Sequence, residues 1–472
     1  GGPAEGGPAE AEGGECGSLQ AIAMSSMETR AVRELAVSKR AFSVPARSLE
    51  DAVRLCDPFS PLDPREDALL HEDLSRIRGG DRLARIARSI RRAGGTPTLH
   101  LLSGHIGGGK TTELLLMKKR LESAEGGAAP VTTLFLDADA VLDRTDVDLE
   151  DILVALWGLV YEKEPVAAAK TLGAIWKTQI ADIVRKVIAN LPDKVPDAVN
   201  KLLGDVRLAG VDQKKTVRTA LGSVTTALIE GLNLAFDEIR RTPPNDPTGP
   251  LVVLIDNLEK VSEGQRASVE RLYLDRMVAL KRLDAHLVIT VPLYLCYVAA
   301  GASLIGLYGG NVVVLPMIEV RKRAADGDGD NQGGLDALVH LLERRVAFEE
   351  LFEEARAAAA RIARYSGGCI RHALRLVLDA VNEHDQPRVT AASIERAAGG
   401  IQADFERALP EAYVPILRQV ARDNRFPDGC DDQVKRELLR HLYVLEYQNG
   451  EPDPWWAVHP LVERCRKYRE SA

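Results

Sequence analysis

Residues Gly104–Thr111 read GHIGGGKT, a complete G-x-x-x-x-G-K-[ST] pattern. The apolar run Thr98-Leu99-His100-Leu101-Leu102 precedes it, and the helix-like stretch Thr112-Glu113-Leu114-Leu115-Leu116-Met117-Lys118-Lys119 follows. Strand, glycine loop and helix form the context in which this pattern grips phosphate, and they set it apart from an ordinary Gly-rich turn. Gly104, Gly107, Gly108 and Gly109 let the backbone of the loop, with His105 and Ile106 in it, wrap closely enough for successive amides to converge on phosphate oxygens. The helix that follows adds its dipole and its free N–H groups. Lys110 supplies a compact cation for the β- and γ-phosphates of a nucleotide. The Thr111 hydroxyl can ligate Mg²⁺, an ion that takes one or two protein ligands beside phosphate and water. Thr112 can assist, although the pattern does not require it. ATP and Mg²⁺ are therefore the expected cofactors, and GTP is not excluded.

The chain has 472 residues, 45% of them hydrophobic, which is enough for two to four domains. A formal net charge of −8 and a pI near 5.7 argue against a protein that coats nucleic acid, although a local basic patch stays open. The six cysteines (Cys16, Cys56, Cys296, Cys369, Cys430 and Cys465) are scattered without a C-x-x-C pair, and the nine histidines lack ligand spacing. They read as reduced, mostly structural thiols of a cytoplasmic protein with no zinc site. No signal peptide is visible. Leu287 to Ile318 carries no charge and is long enough to span a bilayer. Pro292, Gly301, Gly306, Gly309, Gly310 and Pro316 would break such a helix. The blocks Leu287–Val291 and Val312–Leu315 instead read as buried parallel strands, so no membrane span is expected.

Residues 1–56 are Gly/Ala/Pro/Glu-rich and then weakly amphipathic, as in a disordered tail leading into a helix. A helix at about Asp81–Arg92 leads into the first strand, and Val131–Asp137 is a second strand candidate. An acidic stretch (Asp139, Asp143, Asp146, Asp148) precedes a helix starting near Glu150. Residues 160–241 read as a helical insertion that includes helices Ile180–Leu191 and Val217–Arg240. The strand Leu251–Asp256 follows. Strands alternating with helices predict a parallel sheet covered on both faces. After a Gly/Asp-rich surface loop, Ala325–Gly334, residues 335–408 are helical. Residues 409–472 form a small last unit with a hairpin pattern, Tyr443–Tyr447 and Trp455–His459, around an Asn449-Gly450 turn signal. That unit has a charge of about −1 by sequence, a poor footprint for DNA.

Leu251-Val252-Val253-Leu254-Ile255-Asp256 fits an hhhhD element whose Asp256 would hold Mg²⁺ through water opposite Thr111. Asn257, next in line, cannot act as a base. Glu259 is the nearest acid, and its alternative reading is a solvated residue at a helix start. Thr290 lies in Leu287–Val291 and is otherwise an ordinary β-branched strand residue. Arg371 follows Ser366-Gly367-Gly368-Cys369-Ile370 between two helical segments and is otherwise an exposed Arg after a helix-capping glycine. His459 lies in Val458-His459-Pro460-Leu461 and is otherwise structural.

These motifs resemble those of AAA+ and STAND P-loop ATPases over residues 57–472. The resemblance implies an α/β fold: a P-loop core at 57–320 with the helical insertion, a helical lid at 335–408, and a C-terminal winged helix at 409–472. It implies that Lys110, Asp256, Glu259, Thr290 and Arg371 serve catalysis. Glu259 stands in a D-x-x-[DE] arrangement, Thr290 at a γ-phosphate-sensing strand, and Arg371 at a turn similar to the sensor-2 turn of origin-recognition ATPases. His459 resembles the ADP-reading histidine of the NB-ARC branch, with Val458 and Pro460 in place of its usual Met and Asp. Two departures stand out. No Arg lies between Leu293 and Ile318, where AAA+ rings carry a trans-acting finger, which leaves Arg271 and Arg276 as candidates for a homo-oligomer. Asn257 also replaces the usual glutamate, which points to slow turnover.

The implied function is a Mg-dependent, slowly hydrolysing ATP switch that controls a protein partner or effector in a prokaryotic signalling or defence system. The alternative is a DNA-binding AAA+ ATPase of replication-initiator or transposition type, and a third option is a nucleotide-binding scaffold without turnover.

Overall fold

The computed structural model describes residues 43–470 apart from 124–128, 144–145, 209, 243–244, 262–265, 310–311, 328, 384–385 and 449–452. Five strands form one sheet: β1 (Leu99–Gly104), β2 (Thr132–Asp137), β3 (Leu251–Asp256), β4 (His286–Val291) and β5 (Val312–Leu315). Their order is β2-β3-β4-β1-β5 and every pairing is parallel. A parallel sheet needs cover on both faces, so β1, β3 and β4 are buried at every position instead of alternating in and out. Leu102, Val252, Leu254, Val288, Val313 and Leu315 share one core with Leu83, Ile86 and Ile90 of α1 (Arg82–Ala93) and Leu114, Met117 and Leu121 of α2 (Lys110–Glu122). Their neighbours along the strands, Leu101, Val253, Ile255, Leu287 and Ile289, face the opposite core with Ile152 and Leu156 of α3 (Leu149–Lys163). The α1 apolar positions recur at helical spacing, and the Asp81 side chain caps the helix by accepting from the Ala84 amide at 2.7 Å.

The insertion between β2 and β3 is helical, as the sequence predicts, but two of its elements differ. Helix α3 opens with a capping box between Asp148 and Asp151 and packs with α4 (Pro165–Ile175) and α5 (Thr225–Arg241). The expected helix Ile180–Leu191 is a wide turn at Trp176–Ile180 followed by a short helix, Ala181–Arg185. Asn190, with φ 52°, and Pro192 end any continuation. The expected helix Val217–Arg240 breaks after Gly222, and α5 restarts at Thr225. Glycine followed by serine and β-branched residues holds a helix weakly. The packing against α3 then uses the Thr225 hydroxyl as a donor to Glu150, at 3.3 Å.

Helices α6 (Gln332–Glu343), α7 (Ala355–Ser366), α8 (Ile370–Asn382) and α9 (Ala391–Ala408) form a block after the sheet. Then come α10 (Val414–Asp423), α11 (Asp432–Arg440) and an antiparallel pair, β6 (Val444–Tyr447) with β7 (Trp455–Val458). A helix pair followed by a hairpin is the layout expected of a winged helix. The Asn449-Gly450 turn lies outside the described residues, as does most of the expected N-terminal tail. This last unit is seated on the rest of the chain: the Met317 amide donates to the Glu446 carbonyl at 3.0 Å, and Arg321 forks onto Glu463 at 2.8–2.9 Å. The uncharged stretch from Leu287 supplies β4, two short helices and β5. Among the described residues no helix is long and apolar enough to cross a membrane.

Candidate nucleotide site

The glycine loop leaves the carboxyl end of β1 and turns into α2, with β4 and β5 on either side of β1. Ligands of open α/β sheets bind outside this edge. Gly104, Gly107 and Gly109 have φ of 150°, 79° and 93°, conformations that side chains rarely adopt. Space is also short: a Cβ on Gly104 would lie 2.6 Å from the Leu315 carbonyl oxygen, and one on Gly107 would lie 2.6 Å from the Arg371 Cβ.

Behind the loop, the Lys110 ammonium donates to the Gly104 carbonyl at 2.9 Å and the His105 carbonyl at 3.1 Å, and it pairs with Glu259 at 3.0 Å. Glu259 is thus a buried partner of the lysine rather than a solvated residue at a helix start. Burial alone would raise its pKa; Lys110, helped by the Thr290 hydroxyl, holds it below the ordinary carboxylate value. Thr290 is enclosed and accepts from the Leu258 amide at 3.1 Å, which ties the β4 strand to the turn after β3.

Asp256 is fully buried, and neither side-chain oxygen has a hydrogen-bond partner among the described residues. Burial, and next the Glu259 charge, push its pKa above the ordinary carboxylate value, with the Thr111 hydroxyl acting the other way. Such a bare carboxylate beside a hydroxyl, at the edge of a phosphate loop, fits a hydrated hard cation. Asp256 lies in register with Asp137 at the end of β2. Asn257, at φ 59°, turns its amide to donate to Asp137 at 2.9 Å. Asp137 belongs to the surroundings of the site, yet in the sequence it is only a strand end.

The remaining candidates divide. Thr112 stands in the first turn of α2. The Arg371 amide donates to the Gly107 carbonyl at 3.2 Å, so α8 begins against the loop. The Arg371 guanidinium lies over the Phe59 ring at 5.4 Å, and its Nε donates to the Pro58 carbonyl at 3.3 Å. His459 is not brought to the loop. It is fully buried, its Nδ1 accepts from the Leu461 amide at 3.2 Å, and its Nε2 faces His372 Nδ1 at 2.9 Å. It fastens the C-terminal unit to α8, and burial pushes its pKa well down. Arg271 and Arg276 pair with Asp148, and Arg276 also with Glu150, within the chain.

Two residues carry more than the sequence disclosed. The buried Arg78 reaches the Gly108 carbonyl at 2.5 Å and Glu113 at 3.3 Å, bracing the loop from outside the motif. The His105 ring joins the loop to the C-terminal unit: its Nε2 accepts from the Glu446 amide at 2.8 Å, so Nδ1 carries the proton and donates to the Leu439 carbonyl at 3.3 Å. Burial, with Lys110 nearby, drives its pKa down to about 3 and keeps it neutral. Both contacts span more than 330 residues, and no local pattern announces them.

No family model and no curated protein matches the chain. Among solved structures, it is similar to the Walker-type ATPase paby2304 of Pyrococcus abyssi, with a TM-score of 0.44 and 15% identity over 88% of this chain and 99% of that one. It is similar to the Aeropyrum pernix ORC1 protein in complex with DNA, with a TM-score of 0.35 and 16% identity over 80% and 88%. It is also similar to Drosophila ORC bound to DNA, with a TM-score of 0.39 and 11% identity over 92% and 97%. Likeness at this level assigns no residue a role. The parallel sheet with the glycine loop at the end of β1 and Asp256 two strands away, followed by a helical block and a hairpin-bearing unit, has the arrangement of a P-loop α/β fold.

Proposed function

We propose that this chain is a Mg-dependent, slowly hydrolysing ATP switch that controls a protein partner through the seat of its C-terminal unit. One observation carries the reading: the Lys110 ammonium is held between two loop carbonyls and Glu259, with the bare Asp256 alongside. A triphosphate competes for that ammonium. As Lys110 turns to phosphate, Glu259 is released to orient a water, with Thr290 beside it. Mg²⁺, held by Thr111 and by Asp256 through water, would neutralise phosphate charge. Asn257 is occupied with Asp137 and offers no base, in keeping with slow turnover. Because His105 ties the loop to α11 and β6, a shift of the loop is felt in the last unit. That unit would then present a changed surface to a partner or effector, in a prokaryotic signalling or defence system by the family resemblance. Nucleotide titration and phosphate release, with Lys110→Ala beside the unaltered chain, test the site. Uptake and turnover should vanish in the variant; turnover that survives would remove the assignment.

A second reading, a DNA-handling ATPase of replication-initiator or transposition type, is favoured by the helix pair and hairpin at the C-terminus. In this chain α11 packs on the core, and Gln433 is its one exposed position, so duplex binding would need that helix released. A steep fall of duplex affinity with salt would mark this reading.

A further inference from the structure

We infer that Arg78, a residue outside the glycine motif, positions the loop for phosphate by aiming the Gly109 amide; this rests on the ATP reading above. Three consecutive glycines, Gly107, Gly108 and Gly109, leave the loop backbone unusually free, so its peptide planes have to be fixed from elsewhere. The loop carbonyls are the points of attachment. Those of Gly104 and His105 accept from the Lys110 ammonium, and that of Gly107 accepts from the Arg371 amide. The Gly108 carbonyl accepts from the Arg78 guanidinium at 2.5 Å. A trans peptide carries its C=O and its N–H on opposite sides of one plane. With the Gly108 carbonyl turned to Arg78, the Gly109 N–H therefore points away from the guanidinium. The Gly108 amide is already given to the His105 carbonyl at 3.2 Å, whereas the Gly109 amide has no acceptor among the described residues. Gly109 is the N-cap of α2, so its amide joins the free N–H groups of that helix's first turn.

The chemistry of the side chain suits the task. Arg78 is 2% exposed, and a guanidinium stays charged when buried. Its planar fork serves a carbonyl and a carboxylate together: beside Gly108 it reaches Glu113, one turn into α2, at 3.3 Å. Burial raises the pKa of Glu113 and Arg78 opposes the rise, so each group keeps the other charged. A charged donor holds its carbonyl more firmly than a neutral one. The backbone of Arg78 is fixed as well. Its carbonyl accepts from the Arg82 guanidinium at 3.3–3.4 Å, and Arg82 donates onward to Gln448 at 2.9 Å, where β6 ends. Gly79 and Gly80, with φ of 75° and 113°, then turn the chain into the Asp81 cap of α1. Arg78 acts through the Gly109 amide and is thus a positioning residue for the phosphates that the loop amides cradle.

Calorimetry of the full chain with ATP–Mg²⁺ and with ADP–Mg²⁺, beside phosphate-release kinetics, tests the inference on Arg78→Ala, Arg78→Lys and Glu113→Gln. Loop amides meet phosphates that ATP and ADP share, so Arg78→Ala should weaken both about tenfold or more, and Arg78→Lys, which keeps a charged donor, should recover part of the loss. KM should rise by a similar factor with kcat kept within about threefold, the mark of an interaction lost equally before and in the transition state. Glu113→Gln leaves the bond to Gly108 in place and should weaken either nucleotide less than about threefold. Circular dichroism confirms folding, and Arg78→Lys against Arg78→Gln carries the test if the alanine variant fails to fold, with the neutral Gln the weaker binder. Unchanged affinity for both nucleotides in the folded variants, a loss confined to ATP, or a fall in kcat at unchanged KM overturns the inference while the ATP reading stands. No nucleotide uptake by the unaltered chain overturns both.

Discussion

A lysine that is 6% exposed needs compensation for its charge, and Lys110 finds it in two carbonyls and the Glu259 carboxylate. On the function proposed above, the pair would keep the ammonium in place until phosphate arrives and give the acid a second task once it does. Glu259→Gln retains the shape and removes the charge. Turnover should fall about a hundredfold or more, while ATP affinity is kept or raised because Lys110 no longer has a competing carboxylate. Parallel titration and phosphate-release measurements check this, and undiminished turnover would dismiss Glu259 as the acid that orients water. The places of Lys110, Thr111 and Asp256 were legible in the sequence because they follow from local order: a glycine loop before a helix, and an acid at the end of an apolar strand. Arg78 and the His105 ring were not, because the groups that give them meaning come from distant parts of the chain.

At the level of elements, the strands were legible from mostly apolar blocks, since a strand covered on both faces leaves few polar positions; β2, at the edge of the sheet, keeps Thr132 and Thr133 half-buried. The insertion was less so. Ile180–Leu191 and Val217–Arg240 have helical spacing, but the second breaks at the weak helix former Gly222, and α5 then packs so closely over α3 that a Cβ on Gly231 would lie 2.6 Å from the Trp157 ring. The hairpin strand β6 hides a further liability, the Glu446 carboxyl, which is 1% exposed and directed at no basic partner within hydrogen-bond reach among the described residues. Burial raises its pKa from an ordinary 4.5 to about 7, with Tyr297 and then Arg82 acting against the rise. A carboxyl whose pKa is higher folded than unfolded favours the seated hairpin while protonated. That contribution is whole below about pH 4.5 and is lost as pH rises through about 7, to the extent of roughly 3 kcal/mol. Melting of the chain between pH 5 and 8 should therefore drop more steeply than that of Glu446→Gln, in which this part of the pH dependence disappears. Parallel curves for the two proteins would place the burden elsewhere.

Over the whole molecule, the glycine loop reaches three later elements: α8 through the Arg371 amide, α11 through the Leu439 carbonyl, and β6 through the Glu446 amide. Removing the imidazole with His105→Ala leaves the buried Glu446 amide without its acceptor, while the Leu439 carbonyl keeps the Leu442 amide, a loss of about 1–3 kcal/mol. The C-terminal unit should then be cut faster by protease at unchanged overall helicity, with altered emission from Trp455 and Trp456 on β7. An unaltered cleavage rate would sever the loop from that unit as a coupled pair. If the chain handles DNA, this variant is where salt-sensitive duplex binding should emerge, because it frees α11. The separation of 341 residues between His105 and its partner at Glu446 also bears on biogenesis. At ribosomal speeds of roughly 5–20 residues per second, the newborn polypeptide carries its glycine turn uncapped for roughly 20–70 seconds. During that interval the His105 ring lacks both of its later partners, the Leu439 carbonyl and the Glu446 amide, and the loop keeps its shape on the groups already made.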